Sequence, residues 1–461
     1  MYVLLALANA VVITAGIWRS GHRRPFAFLL WLFAIYFTAY PFVVDAFFLA
    51  IGKIDIILGF YARQADGVAP VLDAFILTRT CAFVLTFDVL LLISLEIGYR
   101  KPTTAELKPV DVFGVAQLAA VIMAVSGFIA LIYIVEYEYD GIQNALAESF
   151  DFFGMSGAGA YETKNRQLRA LADALVYTSP FAIYVGLTSR KYLLATAGVI
   201  PCLLLAYITT QRPWLFCVFG VVFLYVVGPG RGRFWSATKH VATLKGGAKR
   251  VFAGLLVVLC VLFLSYFVRI GRAEYPRGSG LDVVTETVES VLSLRDVSVF
   301  VLYWTMDMVP ERLSTTHGMS TLHIPATILH LPTKFTDMEQ VGYYLSWYRN
   351  RWTTTTTHPT IYGWAYCDLG WFGVIWAIIL AWMVRAAEWW SRGGEVRQFA
   401  AAPIMTMMLA VVVRGSPHYG ITRAWYGMLY VATLFFVLEW HREHASMGDQ
   451  AGDMRAVIPR S

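Results

Sequence analysis

Six side chains in this sequence stand where they could grip an anion or move a proton at a membrane surface: Arg212, Arg269, Arg272, Arg295, Arg414 and His358. Arg212 lies in Thr209-Thr210-Gln211-Arg212-Pro213-Trp214, a tight turn between two apolar runs. Its planar guanidinium suits two-point contact with phosphate oxygens. Arg269 and Arg272 follow directly after another apolar run, and Arg295 stands beside Asp296. Arg414 ends a further run in Val413-Arg414-Gly415-Ser416-Pro417-His418. Each has a plainer role as well: an interfacial arginine reaching for lipid headgroups, a helix anchor, or for Arg295 an exposed ion pair of little worth. Taken together, they come from separate runs and have few acidic neighbours, so a dianionic or trianionic ligand such as a diphosphate would account for them all. His358, in Thr357-His358-Pro359-Thr360, opens an apolar run at its surface end. An imidazole there can accept a proton from an attacking hydroxyl; the plain alternative is a structural histidine, like His317, His323, His330 or His418.

Other polar residues support less. Asp368 follows His358 by ten residues, about 15 Å along a helix, too far for a direct partner unless the helix breaks. Asp73, Arg79 and Asp88 fall inside one apolar run; buried charges in membranes face the bundle and pair, so an Asp88–Arg79 pair is expected, with a proton or ion pathway as the alternative. Trp347, Tyr348, Trp352, Tyr362 and Trp364 offer faces for sugar stacking or for an interfacial belt. No Asp-x-Asp pair and no His/Cys/Glu group at zinc spacing occurs in the outer segments. The five cysteines (Cys81, Cys202, Cys217, Cys260, Cys367) form no CxxC. Neither a metal nor a cofactor is expected.

The elements that must position these residues are membrane helices. The 461 residues are 58% hydrophobic and only 15% charged, with mean hydropathy +0.57. Soluble domains carry about a quarter charged residues. Apolar runs long enough to cross roughly 30 Å of hydrocarbon recur throughout, so the fold class is all-α, a polytopic membrane protein. Eleven spans are expected, at 2–18, 25–51, 71–97, 112–134, 171–188, 193–209, 214–229, 251–268, 361–384, 400–413 and 425–440. The net charge of +6 is no nucleic-acid footprint. Twenty Lys/Arg lie in loops 19–24, 98–111, 189–192, 230–250 and 385–399 and in the tail 441–461, which alternate with the rest through all eleven spans. The positive-inside rule makes this set cytoplasmic. The chain then reads as one integral domain, 1–461, with a polar cytoplasmic tail at 441–461 and a large outer loop at 269–360. Within that loop, segment 281–310 has apolar residues at helical spacing (Val284, Val288, Val291, Leu292), the pattern of an amphipathic outer helix.

In order along the chain, four pieces resemble the bacterial oligosaccharide repeat-unit polymerases, the O-antigen polymerase family. Thr209-Thr210-Gln211-Arg212 is similar to that family's Thr-x-Ser-Arg turn, and Arg269 to Arg272 to the basic element after its next span. His317-Gly318-Met-Ser-Thr-Leu-His-Ile-Pro325 through Leu331-Pro332-Thr-Lys334 resembles its Gly…Pro…Pro-x-Lys loop. Thr357-His358-Pro359-Thr360 with Gly370 and Gly373 resembles the segment that opens the following span, and also the His-Asn-x-x-Leu…Gly motif of O-antigen ligases. Gln211, Pro213 and Pro359 depart from the family pattern. The resemblance spans roughly residues 195–420. It implies a C-type glycosyltransferase-like membrane fold in the bacterial cytoplasmic membrane with its active site on the periplasmic side. The implied substrate is an undecaprenyl-diphosphate-linked glycan, and the implied reaction is metal-independent. Arg212, Arg269, Arg272, Arg295 and Arg414 would hold the diphosphate, Arg212 and Arg272 would act with His358 in catalysis, and membrane lipids and a chain-length regulator protein would be partners. The alternatives are an O-antigen ligase, which passes glycan to lipid A core, and a membrane transporter.

Overall fold

The computed structural model describes residues 1–20, 24–55, 58, 73–97, 113–145, 166–209, 213–227, 297–329, 331, 359–392, 394–415 and 417–456. The regular elements among these residues are all helical. In hydrocarbon a backbone must satisfy its own hydrogen bonds, and a helix does so within one segment. The helices are α1 (Tyr2–Ser20), α2 (Pro25–Ala50, with a π-helical turn at Ile35–Ala39), α3 (Ala74–Glu96), α4 (Phe113–Tyr133, running into a π turn at Ile134–Glu138), α5 (Arg166–Thr178), α6 (Phe181–Thr188), α7 (Tyr192–Thr209) and α8 (Pro213–Val227). After residues 228–296, which lie outside the described set, come α9 (Val297–Met308), α10 (Met319–Ile328), α11 (Thr360–Leu369), a 3-10 turn (Gly370–Val374), α12 (Ile375–Ser391), α13 (Glu395–Arg414) and α14 (Pro417–Ala456).

Eight stretches are long and apolar enough to cross a membrane, as a multi-pass membrane protein requires. They are α1, α2, α3, α4, α5 with α6, α11 with α12, α13, and the first part of α14. Two other expected spans, 193–209 and 214–229, are the shorter apolar helices α7 and α8. The expected span at 251–268 lies outside the described residues.

Local sequence sets where these helices start and stop. Proline, which lacks an amide hydrogen, opens α2, α8 and α14 at Pro25, Pro213 and Pro417, where that hydrogen would go unused. Asp73 caps α3 by accepting from the Ile76 amide at 2.8 Å. Gly415 ends α13 with φ +111, a left-handed conformation that favours glycine. Gly370 breaks the 360–391 stretch with φ +60, and the 3-10 turn folds back so closely that a Cβ on Gly373 would meet the Ala365 carbonyl oxygen at 2.3 Å.

The helix found within 281–310 is α9, which is core: Val299 to Met306 are buried apart from a half-buried Trp304, and the helix packs on α11. Val284, Val288, Val291 and Leu292, whose spacing suggests an amphipathic helix, lie outside the described set. The helix α14 runs on into the tail as far as Ala456, through good helix formers such as Ala445, Met447 and Gln450. One expectation needs correction: Asp88 and Arg79 do not pair. They are nine residues apart on one helix, roughly 13 Å by rise, and each has other partners.

Contacts sort the helix termini into two ends, as the loop alternation predicts. At one end Arg24, buried to 2% exposure, donates to Glu388 at 3.1 Å and to Glu96 at 3.0 Å, Lys191 meets Gln117 at 3.0 Å, and Arg397 meets Glu439 at 2.7 Å. These residues all flank the loops of the basic set. At the other end Arg79 pairs with Glu311 at 2.7 Å and Arg423 with Asp173 at 2.7 Å. Removing one member of a buried ion group strands its partners, at a cost of about 3–5 kcal/mol. Arg24→Met should therefore lower the stability of detergent-purified protein by about that amount in thermal unfolding, whereas Arg19→Met, exposed and 3.8 Å from Glu96, should cost less than about 1 kcal/mol.

Candidate functional site

Of the six residues singled out in the sequence, the structure describes Arg414. Arg212, Arg269, Arg272, Arg295 and His358 lie outside the described residues, as do Trp347, Tyr348 and Trp352. The described chain on either side of Arg212 and His358 nevertheless has definite neighbours. Gly415, next after Arg414, lies so close to α11 that a Cβ on it would meet the Thr360 amide nitrogen at 2.6 Å. The half-buried Arg414 thus sits one residue from a contact with Thr360, whose own φ is +61. A Cβ on Gly220 would reach the Thr406 hydroxyl at 2.0 Å, and Trp214 and Leu215 share a buried cluster with Met407 and Val411, so α8 and α13 run antiparallel. Equal rises from the Gly220–Thr406 contact bring Pro213, at the start of α8, level with Val413 near the end of α13.

Asp368 organises the loop that carries the sequence resemblance. It is fully buried on α11 and accepts from the Thr316 hydroxyl, the Ser320 amide at 3.1 Å, the Thr321 amide at 3.0 Å and the Thr321 hydroxyl at 2.5 Å. Trp376, beyond the helix break, donates to that hydroxyl at 2.9 Å. The amides of Ser320 and Thr321 belong to the first turn of α10, where helix amides lack internal partners and a carboxylate is favoured. Asp368 thus fastens the segment Thr316–Thr321 onto α11.

On the far side of α10 a histidine pair faces α14. The rings of His323 and His418 are 4.5 Å apart, tilted by 30°, and the His418 Nε2 is 3.0 Å from the Thr327 hydroxyl. His418 follows Arg414 across the Gly415 break.

A second polar group lies one helix turn further along α14. Asp173, 1% exposed, accepts from Arg169 at 2.8 Å and from Arg423 at 2.7 Å. The Arg423 guanidinium lies 3.4 Å over the Tyr419 ring, Tyr419 and Tyr177 share a hydroxyl contact at 2.9 Å, and the Tyr177 ring stands 4.4 Å from that of Trp214. This group therefore reaches the helix start that follows Arg212. A third group joins Arg79 to Glu311, to the Val309 carbonyl at 3.0 Å and to the Tyr366 hydroxyl. Sequence reasoning missed the roles of Asp173, Arg423, His418 and Asp368. A charge inside an apolar run was the available signal for Asp173; no sequence signal pairs it with a residue 250 positions away. Among the described residues no three His, Cys, Asp or Glu side chains gather to hold a metal ion.

No protein-family model matches this chain, and neither a curated protein nor a solved structure does. The site is read from its own chemistry. Hydrogen bonds to a charged acceptor contribute about 1.5–3 kcal/mol each, so Asp368→Ala should destabilise the protein by at least about 3 kcal/mol and open the segment around His317 to protease. Asp307→Ala, whose partner Arg312 is 3.9 Å away, should change stability by less than about 1 kcal/mol.

Proposed function

We propose that this chain polymerises lipid-linked oligosaccharide repeat units, moving the growing glycan from undecaprenyl diphosphate onto the next lipid-linked unit at the outer face of the bacterial cytoplasmic membrane. The observation that carries this reading is the meeting of three chain segments at one end of the bundle. Gly415 packs on Thr360, and the start of α8 is level with the end of α13. In sequence Arg414, Arg212 and His358 stand one or two residues from those points. A diphosphate leaving group needs cations, and a sugar hydroxyl needs a proton acceptor. The fastening of Thr316–Thr321 to Asp368 adds support, because it joins two of the pieces on which the family resemblance rests.

In the reaction, the acceptor hydroxyl oxygen attacks the anomeric carbon and the bond from that carbon to the diphosphate oxygen breaks. The electron pair leaves with the diphosphate, and the hydroxyl proton passes to His358. Arg212, Arg272 and Arg414 stabilise the charge developing on the leaving group, with Arg269 and Arg295 gripping the same diphosphate. A single displacement of this kind inverts the anomeric centre. His418, beside Thr327, is a second proton acceptor within the same end of the bundle.

Deleting the gene in its own host, then restoring the wild type or Arg414→Ala, tests this reading through the surface-glycan ladder on a gel. The polymerase reading predicts that the deletion leaves surface lipid capped with one repeat. Loss of one charge-stabilising donor costs about 10²–10³ in rate, so Arg414→Ala should restore only a faint ladder while the protein remains in the membrane. Bare core with accumulated lipid-linked polymer would instead identify a ligase, and an unchanged ladder in the deletion strain would rule out both.

A further inference from the structure

The helices α4 and α14 touch inside the bundle and part at the end that carries the basic loops. The Ser126 and Tyr430 hydroxyls meet at 2.9 Å. Twelve residues from that contact, roughly 18 Å by rise, lie Gly114 on α4 and Arg442 on α14. There a cleft of about 390 Å³ opens between the two helices, lined by Gly114, Val115, Leu118, Leu438, His441 and Arg442. Its volume falls within the roughly 300–1,000 Å³ of ligand pockets. A Cβ on Gly114 would meet nothing within 4 Å, so the missing side chain leaves one wall of the cleft open.

The chemistry of this cleft changes along its length. At its mouth are the exposed Arg442 and His441. A guanidinium suits two oxygens of one phosphate, and an imidazole can donate a ring N–H. Gly114 and Val115 belong to the first turn of α4, whose amides have no partner within the helix and favour an anion. No carboxylate lines the cleft among the described residues, and Glu439, beside Leu438 in sequence, is engaged by Arg397 at 2.7 Å. Below the mouth the walls are apolar. Leu118, Val121 and Val125 form one exposed stripe of α4 that leads from the cleft toward the hydrocarbon. The exposed Trp440, Trp389 and Tyr192 cluster at the same end of the bundle, as aromatic residues do at headgroup level. A ligand that fits both parts is anionic at one end and apolar along the other. Basic pockets between membrane helices hold anionic lipid headgroups in this way.

We propose that the cleft between α4 and α14 binds an anionic phospholipid of the phosphatidylglycerol type. Arg442 takes the phosphate, His441 a glycerol hydroxyl, and one acyl chain lies along Leu118, Val121 and Val125. The lipid fills the gap that Gly114 leaves and so ties the ends of the two helices together. A zwitterionic headgroup would bring an ammonium group to a wall that offers it no carboxylate. This site lies at the opposite end of the bundle from Arg414, so it stands or falls without the glycan reading.

The test is the thermal stability of the full-length, detergent-purified protein titrated with dioleoylphosphatidylglycerol, dioleoylphosphatidylcholine or soluble glycerol 3-phosphate at fixed pH and salt. A ligand that binds the folded state stabilises it in a saturable way. The melting temperature of wild type should therefore rise and saturate with phosphatidylglycerol, and should change little with the other two. Arg442→Gln combined with His441→Gln should raise the half-saturating lipid concentration about tenfold or more, as the loss of a hydrogen bond to a charged group predicts. Gly114→Leu, which fills the cleft without altering charge, should abolish the response and guards against misfolding of the double variant. Arg19→Gln, which removes an exposed cation of α1 at the same end, should keep it. An equal rise with phosphatidylcholine, or with glycerol 3-phosphate alone, overturns the proposal. So does a response that survives in both cleft variants, or one that Arg19→Gln abolishes, which would mark a diffuse charge effect.

Discussion

Charge inside an apolar bundle must find its partner inside the protein, because hydrocarbon offers none. The described part of this chain follows that constraint closely. Arg24 is held between Glu96 and Glu388, Arg79 by Glu311 and Tyr366, and Asp173 between Arg169 and Arg423. Each group joins residues far apart in sequence, so each fixes the packing of two or three helices as well as neutralising charge. The buried Asp45 and Asp88, outside these groups, are each held by a tyrosine, Tyr303 and Tyr362.

The end that carries Arg414 differs from its opposite in how the helices finish. There α11 breaks at Gly370, α13 stops at Gly415, and the short helix α10 lies against both α11 and α14. Breaks of this kind expose backbone amides, and Asp368 collects two of them together with two threonine hydroxyls. At the other end, ion pairs such as Arg24–Glu388 and Arg397–Glu439 link helices directly. A chain that only needed to cross a membrane could finish both ends that way. Irregular backbone, a histidine pair and a half-buried arginine gather at this end instead.

Much of this architecture was legible in the sequence because hydropathy and length speak directly to membrane crossing. The limits of α1, α3 and α13 follow from apolar runs, and the Pro25 and Pro213 starts from proline chemistry. What escaped were pairings. Arg79 and Asp88 share a helix, which makes them an obvious couple on paper, yet their hydrogen-bond partners lie on α11 and in the segment after α9. The burial of α9 is consistent with its own run, Val297-Ser-Val-Phe-Val-Leu-Tyr-Trp304, which is apolar on nearly every face. Asp368 was weighed only against His358; two of its four donors are backbone amides, invisible to any reading of side chains. The place of Arg414 at the end of a run was legible, and the adjacency of Gly415 to Thr360 was not.

The proposed function requires arginines from separate helices to meet at one end of the bundle. Paired cysteines test it most directly: Arg212→Cys with Arg414→Cys, in a chain whose five native cysteines have been replaced, treated in membranes with a short bis-maleimide. A shared site gives an efficient intramolecular cross-link for this pair and none for Arg212→Cys with Arg392→Cys at the opposite end. If both cysteines of the first pair accept a mono-maleimide and yet no cross-link forms, the two arginines do not share a site and the account fails.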